Sequence, residues 1–391
     1  MRTILVSGDG SALIAAATAL HAAGQGRRTL LLAADDPHRT LDAALGGRLT
    51  GLPTPYAEYL TAARVDEQDA FRATLDGLGD RLGPALDLIG AAPLDPEELT
   101  PLPGTRQLAL LRALRTADAE VLVVAAPDPA ELIATLALPE QLTRYLDRLL
   151  PEQRQAARAL RPLLAAMAGV PMPADWLFSA RTKAVAVLAE ARAAVEDPGT
   201  SVRLVVDADH YGLDELRRIR AGFALYGQRL DAVVAHRALP AAAVDSPDPW
   251  LAAQAARERD RLAALADELG ELPLLVCRRP EPTLEGMAAQ LYGAVEPVPY
   301  DTPWQVVDRL AEEGLLIWRL ALPGADRSEL ELVRRGDELV VGLGGYRRIL
   351  PLPSALRRCT VQGAGMGEGV LSVRFAPDPA LWPTGWARGI G

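Results

Sequence analysis

The chain has 391 residues, 49% of them apolar and 24% charged, with a formal net charge of −10. One hydrophobic core seldom spans that length, so two domains or one enlarged domain are expected. The acidic balance excludes a general nucleic-acid binder, which needs clustered positive charge. The absence of any long uncharged apolar run excludes a membrane-spanning helix, and the two cysteines, Cys277 and Cys359, suit a reducing cytoplasm rather than a disulfide framework.

The first residues are too briefly apolar for a signal peptide and read instead as a strand, Thr3 to Ser7, that ends at Gly8-Asp9-Gly10. An alanine-rich helix follows over about Ala12 to Ala23, closed by Gly24 and Gly26, and Arg28 to Ala33 reads as a second buried strand. This β-α-β start with a glycine turn predicts a doubly wound, mostly parallel α/β sheet. Further mostly apolar runs, Val121–Val124, Val202–Val206, Leu230–Val234 and Leu272–Val276, have the composition of central strands covered on both faces. Between them the stretch from about Pro139 to Ala194, broken near Gly169–Pro173, is too long for a simple crossover and predicts a helical insert.

Beyond Pro303 the pattern changes. Leu316 to Leu322 alternates with period two, and Leu330–Val333, Glu338–Leu343 and Tyr346–Leu350 are short runs joined by Gly-containing turns. With Arg357–Gln362 and Gly369–Phe375 these predict a small antiparallel sandwich over 313–378, followed by a Pro-, Gly- and Trp-rich tail over 379–391. Residues 1–312, with the insert at about 139–195, would form the α/β domain.

Taken in order, these segments resemble the ArsA-type ATPase family, which includes arsenite-pump ATPases and the factors that deliver tail-anchored proteins. The resemblance rests on Ala15-Ala16-Ala17-Thr18-Ala19-Leu20, Gly26-Arg27-Arg28, Leu30-Leu31-Leu32, Asp36-Pro37 and Leu41 to Gly46. It continues through Leu136 to Glu140, Tyr145 to Pro151, Asp231 to Val234 and Arg237 to Pro240, while Leu322 to Phe375 is similar to the α-crystallin-like sandwich of some bacterial members. The resemblance implies a P-loop fold, a nucleotide site and dimers formed across it.

Several positions depart from the family's pattern. A working P-loop wraps phosphates in backbone N–H groups and neutralises them with lysine. The corresponding stretch is Gly8-Asp9-Gly10-Ser11-Ala12-Leu13, about two residues shorter than the family's, with Asp9 and Ser11 near the two lysine positions. The sole lysine of the chain is Lys183, far downstream. The turn is therefore either a plain strand-to-helix connection or a retained phosphate cradle. Ala125 stands where the family's second switch has an aspartate that supports magnesium, and Asp128 reaches that role only with a shift of register. His236 stands where the family has a base-reading asparagine, and a ring cannot reproduce an amide's paired donor and acceptor.

Asp36 matches the first switch, as a vestigial water-activating carboxylate or as a cap for the following helix. Among the histidines and cysteines no metal-ligand spacing occurs, and the family's Cys-x-x-Cys is absent, so no metal is expected.

Losses at separate nucleotide contacts point to an ArsA-like pseudo-ATPase, a scaffold that binds a protein partner or apolar client and is not an efficient enzyme. No cofactor is assigned to it. The alternative is an ATP- and magnesium-binding anion-transport ATPase with a rearranged site, using Arg27 or Arg28, or completed by a partner subunit. A homodimer or a heterodimer with a related ATPase is expected. The client groove would lie on the insert, at Leu163, Met167, Met172, Trp176 and Phe178, since methionines and leucines on helices suit adaptable apolar grooves. Core packing accounts for the same residues.

Overall fold

The computed structural model describes residues 1–72, 98, 100–150, 175–208, 212–279, 283–293, 297–299 and 304–382. A large sheet contains β1 (Arg2–Gly8), β2 (Thr29–Ala33), β3 (Thr54–Ala57), β4 (Leu60–Arg64), β5 (Val121–Ala125), β6 (Thr200–Asp207), β7 (Leu230–Ala238) and β8 (Leu274–Arg278). Its strand order is β3-β4-β2-β5-β1-β6-β7-β8. The helices of this part are α1 (Ser11–Gly24), α2 (Thr40–Leu45), α3 (Thr105–Thr116), α4 (Pro129–Leu149), α5 (Asp175–Glu196), α6 (Leu213–Leu225), α7 (Pro249–Leu269) and α8 (Leu284–Tyr292). The chain divides into two compact units, Met1–Val205 with Val276–Glu296, and Val206–Leu275 with Pro297–Gly391.

In the first unit, β1 pairs in parallel with β5 on one side and β6 on the other, and β2 pairs in parallel with β5 and β4. Every residue of β2 and β5 is buried, which explains their unbroken apolar character. α1 is buried nearly all round, at Ile14, Ala15, Ala16, Ala17 and Ala19 among others, and its small side chains let the helix lie close to the sheet. One polar cluster is embedded there. The Arg203 guanidinium of β6, 2% exposed, donates to the Tyr292 hydroxyl at 2.6 Å, and that hydroxyl lies 2.5 Å from Thr18 Oγ1.

The β3–β4 hairpin is an element the apolar runs do not reveal. β4 reads Leu-Thr-Ala-Ala-Arg, poor in the branched and aromatic residues that mark strands, and is held by its parallel pairing with β2. The helix expected from Pro139 starts earlier, at Pro129, with Asp128 as its cap, and Pro139 lies within it.

The second unit holds α6, α7, β7 and two antiparallel sheets. One sheet has the order β14-β15-β10-β9, and the other β11-β12-β13. Their strands are β9 (Gln305–Arg309), β10 (Leu315–Ala321), β11 (Leu330–Arg335), β12 (Glu338–Leu343), β13 (Tyr346–Pro351), β14 (Cys359–Gly367) and β15 (Val370–Pro377). A one-turn helix, α9 (Leu310–Glu313), joins β9 to β10. The period-two pattern builds the core directly. Leu316, Trp318 and Leu320 of β10 face Phe375, Val373 and Leu371 of β15 across the ladder, and all six are buried. Leu339, Val341 and Leu343 of β12 share that core. Burial pushes the Cys359 thiol up, as suits a structural rather than reactive cysteine. β9, mostly exposed and without alternation, carries no apolar signal.

Candidate functional site

The carboxyl ends of β1, β2 and β5 form one edge of the first unit's sheet, where an open α/β sheet presents its ligand site. The connection from β1 to α1 is only Asp9 and Gly10. Ser7, fully buried, donates through Oγ to the Pro127 carbonyl at 2.5 Å. Gly8 has φ +117°, and a Cβ on it would stand 2.0 Å from the Val205 carbonyl oxygen on β6. Only glycine fits so close to a neighbouring backbone. Gly10, at φ +78°, precedes α1 without a side-chain cap, Asp9 is exposed, Ser11 is buried and Ala12 is partly buried.

Asp36 follows β2 and is 6% exposed. Its Oδ1 accepts from the Thr40 N–H at 2.7 Å, and its Oδ2 accepts from the Leu41 N–H at 3.1 Å, the first donors of α2. Arg64, at the end of β4, donates to Asp36 Oδ2 at 3.2 Å and to the Asp36 carbonyl at 3.1 Å. The same guanidinium reaches Asp42 Oδ1 on α2 at 2.8 Å. Burial acts to raise the Asp42 carboxyl, but Arg64, the Leu49 N–H and Arg39 together hold it below its ordinary value. The carboxylate that matches the first switch is thus enclosed by backbone donors and one arginine. Arg64 carries no motif; only the parallel register of β4 with β2 places it beside Asp36.

Ala125 is fully buried at the end of β5, and its carbonyl accepts from the Ala34 and Asp35 N–H groups, both at 3.0 Å. Asp128 accepts from the Ala130 N–H at 2.9 Å, which makes it the cap of α4. Asp35 pairs with Arg106 of α3 at 3.1 Å, and Arg106 also binds Glu67 at 2.8 Å, an interaction that pushes the guanidinium pKa further up. Among the described residues no group of carboxylates, histidines or cysteines is arranged to hold a metal ion.

Arg27 and Arg28 lie at the opposite end of the sheet. Arg2 of β1 and Thr29 of β2 are both in register with Val121, so Gly8 stands six residues farther along, roughly 20 Å away. Arg28 is engaged there, its N–H donating to Glu120 at 2.8 Å. Lys183 is exposed on α5.

In the second unit His236 is buried near the end of β7, its carbonyl accepting from the Ala208 N–H at 3.1 Å. Arg237 follows at φ +61°, with its guanidinium 3.9 Å from Asp207. Of the groove residues, Leu163, Met167 and Met172 lie outside the described residues, while Trp176 and Phe178 fall in the first turn of α5. On the neighbouring α4, Tyr145 and Leu149 are exposed, and Asp147 binds the buried Arg181 of α5 at 2.6 Å. Nothing in the spacing of these exposed apolar positions separates them from a core stripe.

Residues 1–286 match the family model described as anion-transporting ATPase, and residues 313–375 match the HSP20-like domain found in ArsA. The chain is similar to protein SCO2128 of Streptomyces coelicolor, 49% identical over 98% of this chain and 100% of that protein. Protein Rv2184c of Mycobacterium tuberculosis is 30% identical, with 96% of each chain covered. The "Putative arsenical pump-driving ATPase 1" of Aquifex aeolicus is 24% identical over 91% of this chain and 95% of its own length.

Two substitutions test the geometry of this edge. Gly8→Ala forces β1 and β6 apart or strains the turn, and is expected to cost about 2–4 kcal/mol, read as a lower urea midpoint at unchanged slope. Arg64→Met leaves the Asp36 carboxylate without its cation, with an expected loss of about 1–3 kcal/mol at neutral pH. The depressed Asp42 carboxyl contributes stability that is complete above its ordinary value of 3.8 and lost as pH falls through the lower folded value. Arg64→Met should therefore flatten the acid limb of the stability curve, and an unchanged limb would count against this assignment.

Proposed function

The chain belongs to the anion-transporting ATPase family, and we propose that within it this protein is a pseudo-ATPase that binds a protein partner or apolar client. The observation that carries this reading is the two-residue connection between β1 and α1, with Gly8 seated against the Val205 carbonyl. A phosphate-wrapping loop needs a run of free backbone N–H groups and a cation aimed at the phosphates. Asp9 brings the wrong charge to this turn, and the only lysine is on α5. For magnesium the donors are equally unsuited: Ala125 has no carboxylate, Asp128 caps α4, and Asp36 is held by Thr40, Leu41 and Arg64. The residues at this edge therefore do not fit a magnesium–triphosphate, and we derive no hydrolytic step from them.

The second reading keeps nucleotide binding, with the site completed by a partner subunit. It is favoured by the start of α1, where no side chain caps the first N–H groups, and by a relative whose name is that of a pump-driving ATPase. Arg27 and Arg28 do not serve it, being at the far end of β2.

In the leading reading, 1–312 is the ATPase-like domain, 313–378 the HSP20-like domain and 379–391 a tail. The client surface lies on the helical insert, and assembly is as a homodimer or with an active relative. No helix among the described residues is long and apolar enough to cross a membrane, which accords with a cytoplasmic protein.

Calorimetric titration of Mg-ATP and Mg-ADP, run beside a phosphate-release assay, should give no turnover. Micromolar binding with turnover would overturn the proposal, and binding without turnover would favour a nucleotide-gated scaffold. For the client surface, a labelled peptide with an apolar segment of about 20 residues should be captured by the full chain. Capture should be lost when residues 150–174 are replaced by a short Gly-Ser linker; undiminished capture removes the insert from the reading.

A further inference from the structure

α6 lies in the part of the chain that matches the ATPase model, yet it packs into the core of the C-terminal sheets. Ala221, Ala224 and Leu225 share one buried cluster with Leu320, Val341, Leu350 and Phe375. The fit is close enough to require glycine on both sides. A Cβ on Gly222 of α6 would stand 2.6 Å from the Tyr346 ring of β13, and one on Gly324, just after β10, would stand 2.5 Å from the Arg217 carbonyl of α6.

The sheets also finish the helix chemically. The last carbonyls of a helix have no partner within it. Arg348 of β13 donates to the Leu225 carbonyl at 2.9 Å, supplying both a donor and a positive charge at the helix C-terminus. The same guanidinium lies 5.8 Å from the Tyr226 ring and 5.6 Å from the Trp304 ring. The Tyr226 hydroxyl, one residue past α6, donates in turn to the Arg347 carbonyl at 2.7 Å. The seam therefore combines shared apolar core, ring-on-glycine contact and reciprocal hydrogen bonds.

We infer that the C-terminal sheets are a clamp on α6, so that residues 213–225 and 313–375 open and close as one cooperative unit. The HSP20-like region is then not a freestanding appendage. Its loosening uncovers the Ala221, Ala224 and Leu225 strip of the ATPase-like part, and loosening of α6 opens the sandwich core.

Native-state hydrogen exchange of the full chain in rising, sub-denaturing urea tests this. Amides of α6 should merge onto the same opening free energy and urea dependence as those of β12 and β15, separately from β1 and β5. Tyr346→Ala should raise exchange in α6 and in β12 by a common factor, on the order of tenfold or more, and leave β1 and β5 unchanged. Arg348→Met, a milder change that removes the helix-end contact but leaves the apolar core intact, should do the same to a smaller degree and covers the case in which Tyr346→Ala fails to fold. The proposal is overturned if α6 follows β1 and β5, if the sheets open with α6 still protected, or if the whole chain follows a single isotherm.

Discussion

The approach of Gly8 to the Val205 carbonyl governs the first unit. β1 is held between β5 and β6, and its last residue meets the neighbouring strand where no side chain fits. With that contact in place the chain has only Asp9 and Gly10 to turn from strand to helix. The Ser7 hydroxyl fixes the turn further by donating to the Pro127 carbonyl, which ties the end of β1 to the segment entering α4. The rest of the edge follows from the same parallel register: β4 beside β2 brings Arg64 to Asp36, and β5 beside β2 brings the Ala125 carbonyl to the Ala34 and Asp35 N–H groups.

Most of the charged groups at that edge are compensated locally. Three of its acids answer to local donors, Asp36 to α2 and Arg64, Asp35 to Arg106, and Asp128 to α4. Its cations are arginines already paired with these acids. Such an arrangement stabilises the loops that follow β2 and β5.

What was legible in the sequence and what was not divides along physical lines. Strands buried on both faces announce themselves, so β1, β2, β5 and β6 were readable, as was the Gly8-Asp9-Gly10 turn. The sandwich strands were readable for the opposite reason, because alternation in Leu316–Leu320 maps onto an inner and an outer face. β4 and β9 were not, since one is alanine-rich and the other is an exposed edge, and tertiary pairing rather than local pattern makes them strands. At the site, the identities of Asp9, Ala125 and Asp128 could be weighed residue by residue. The role of Arg64 could not, because it arises from strand register across an intervening loop. The seating of α6 in the sandwich core was equally silent, as Ala221 and Gly222 look like any small residues on a helix.

That seating has an evolutionary consequence. A module joined to its neighbour by a linker can be gained, lost or exchanged by recombination at the linker. This one cannot be exchanged so simply, because the ring of Tyr346 demands glycine at position 222 more than a hundred residues earlier. Relatives that lack the C-terminal region should carry a different, more polar face on the equivalent helix. A side chain at position 222 should therefore be tolerated best when position 346 shrinks with it.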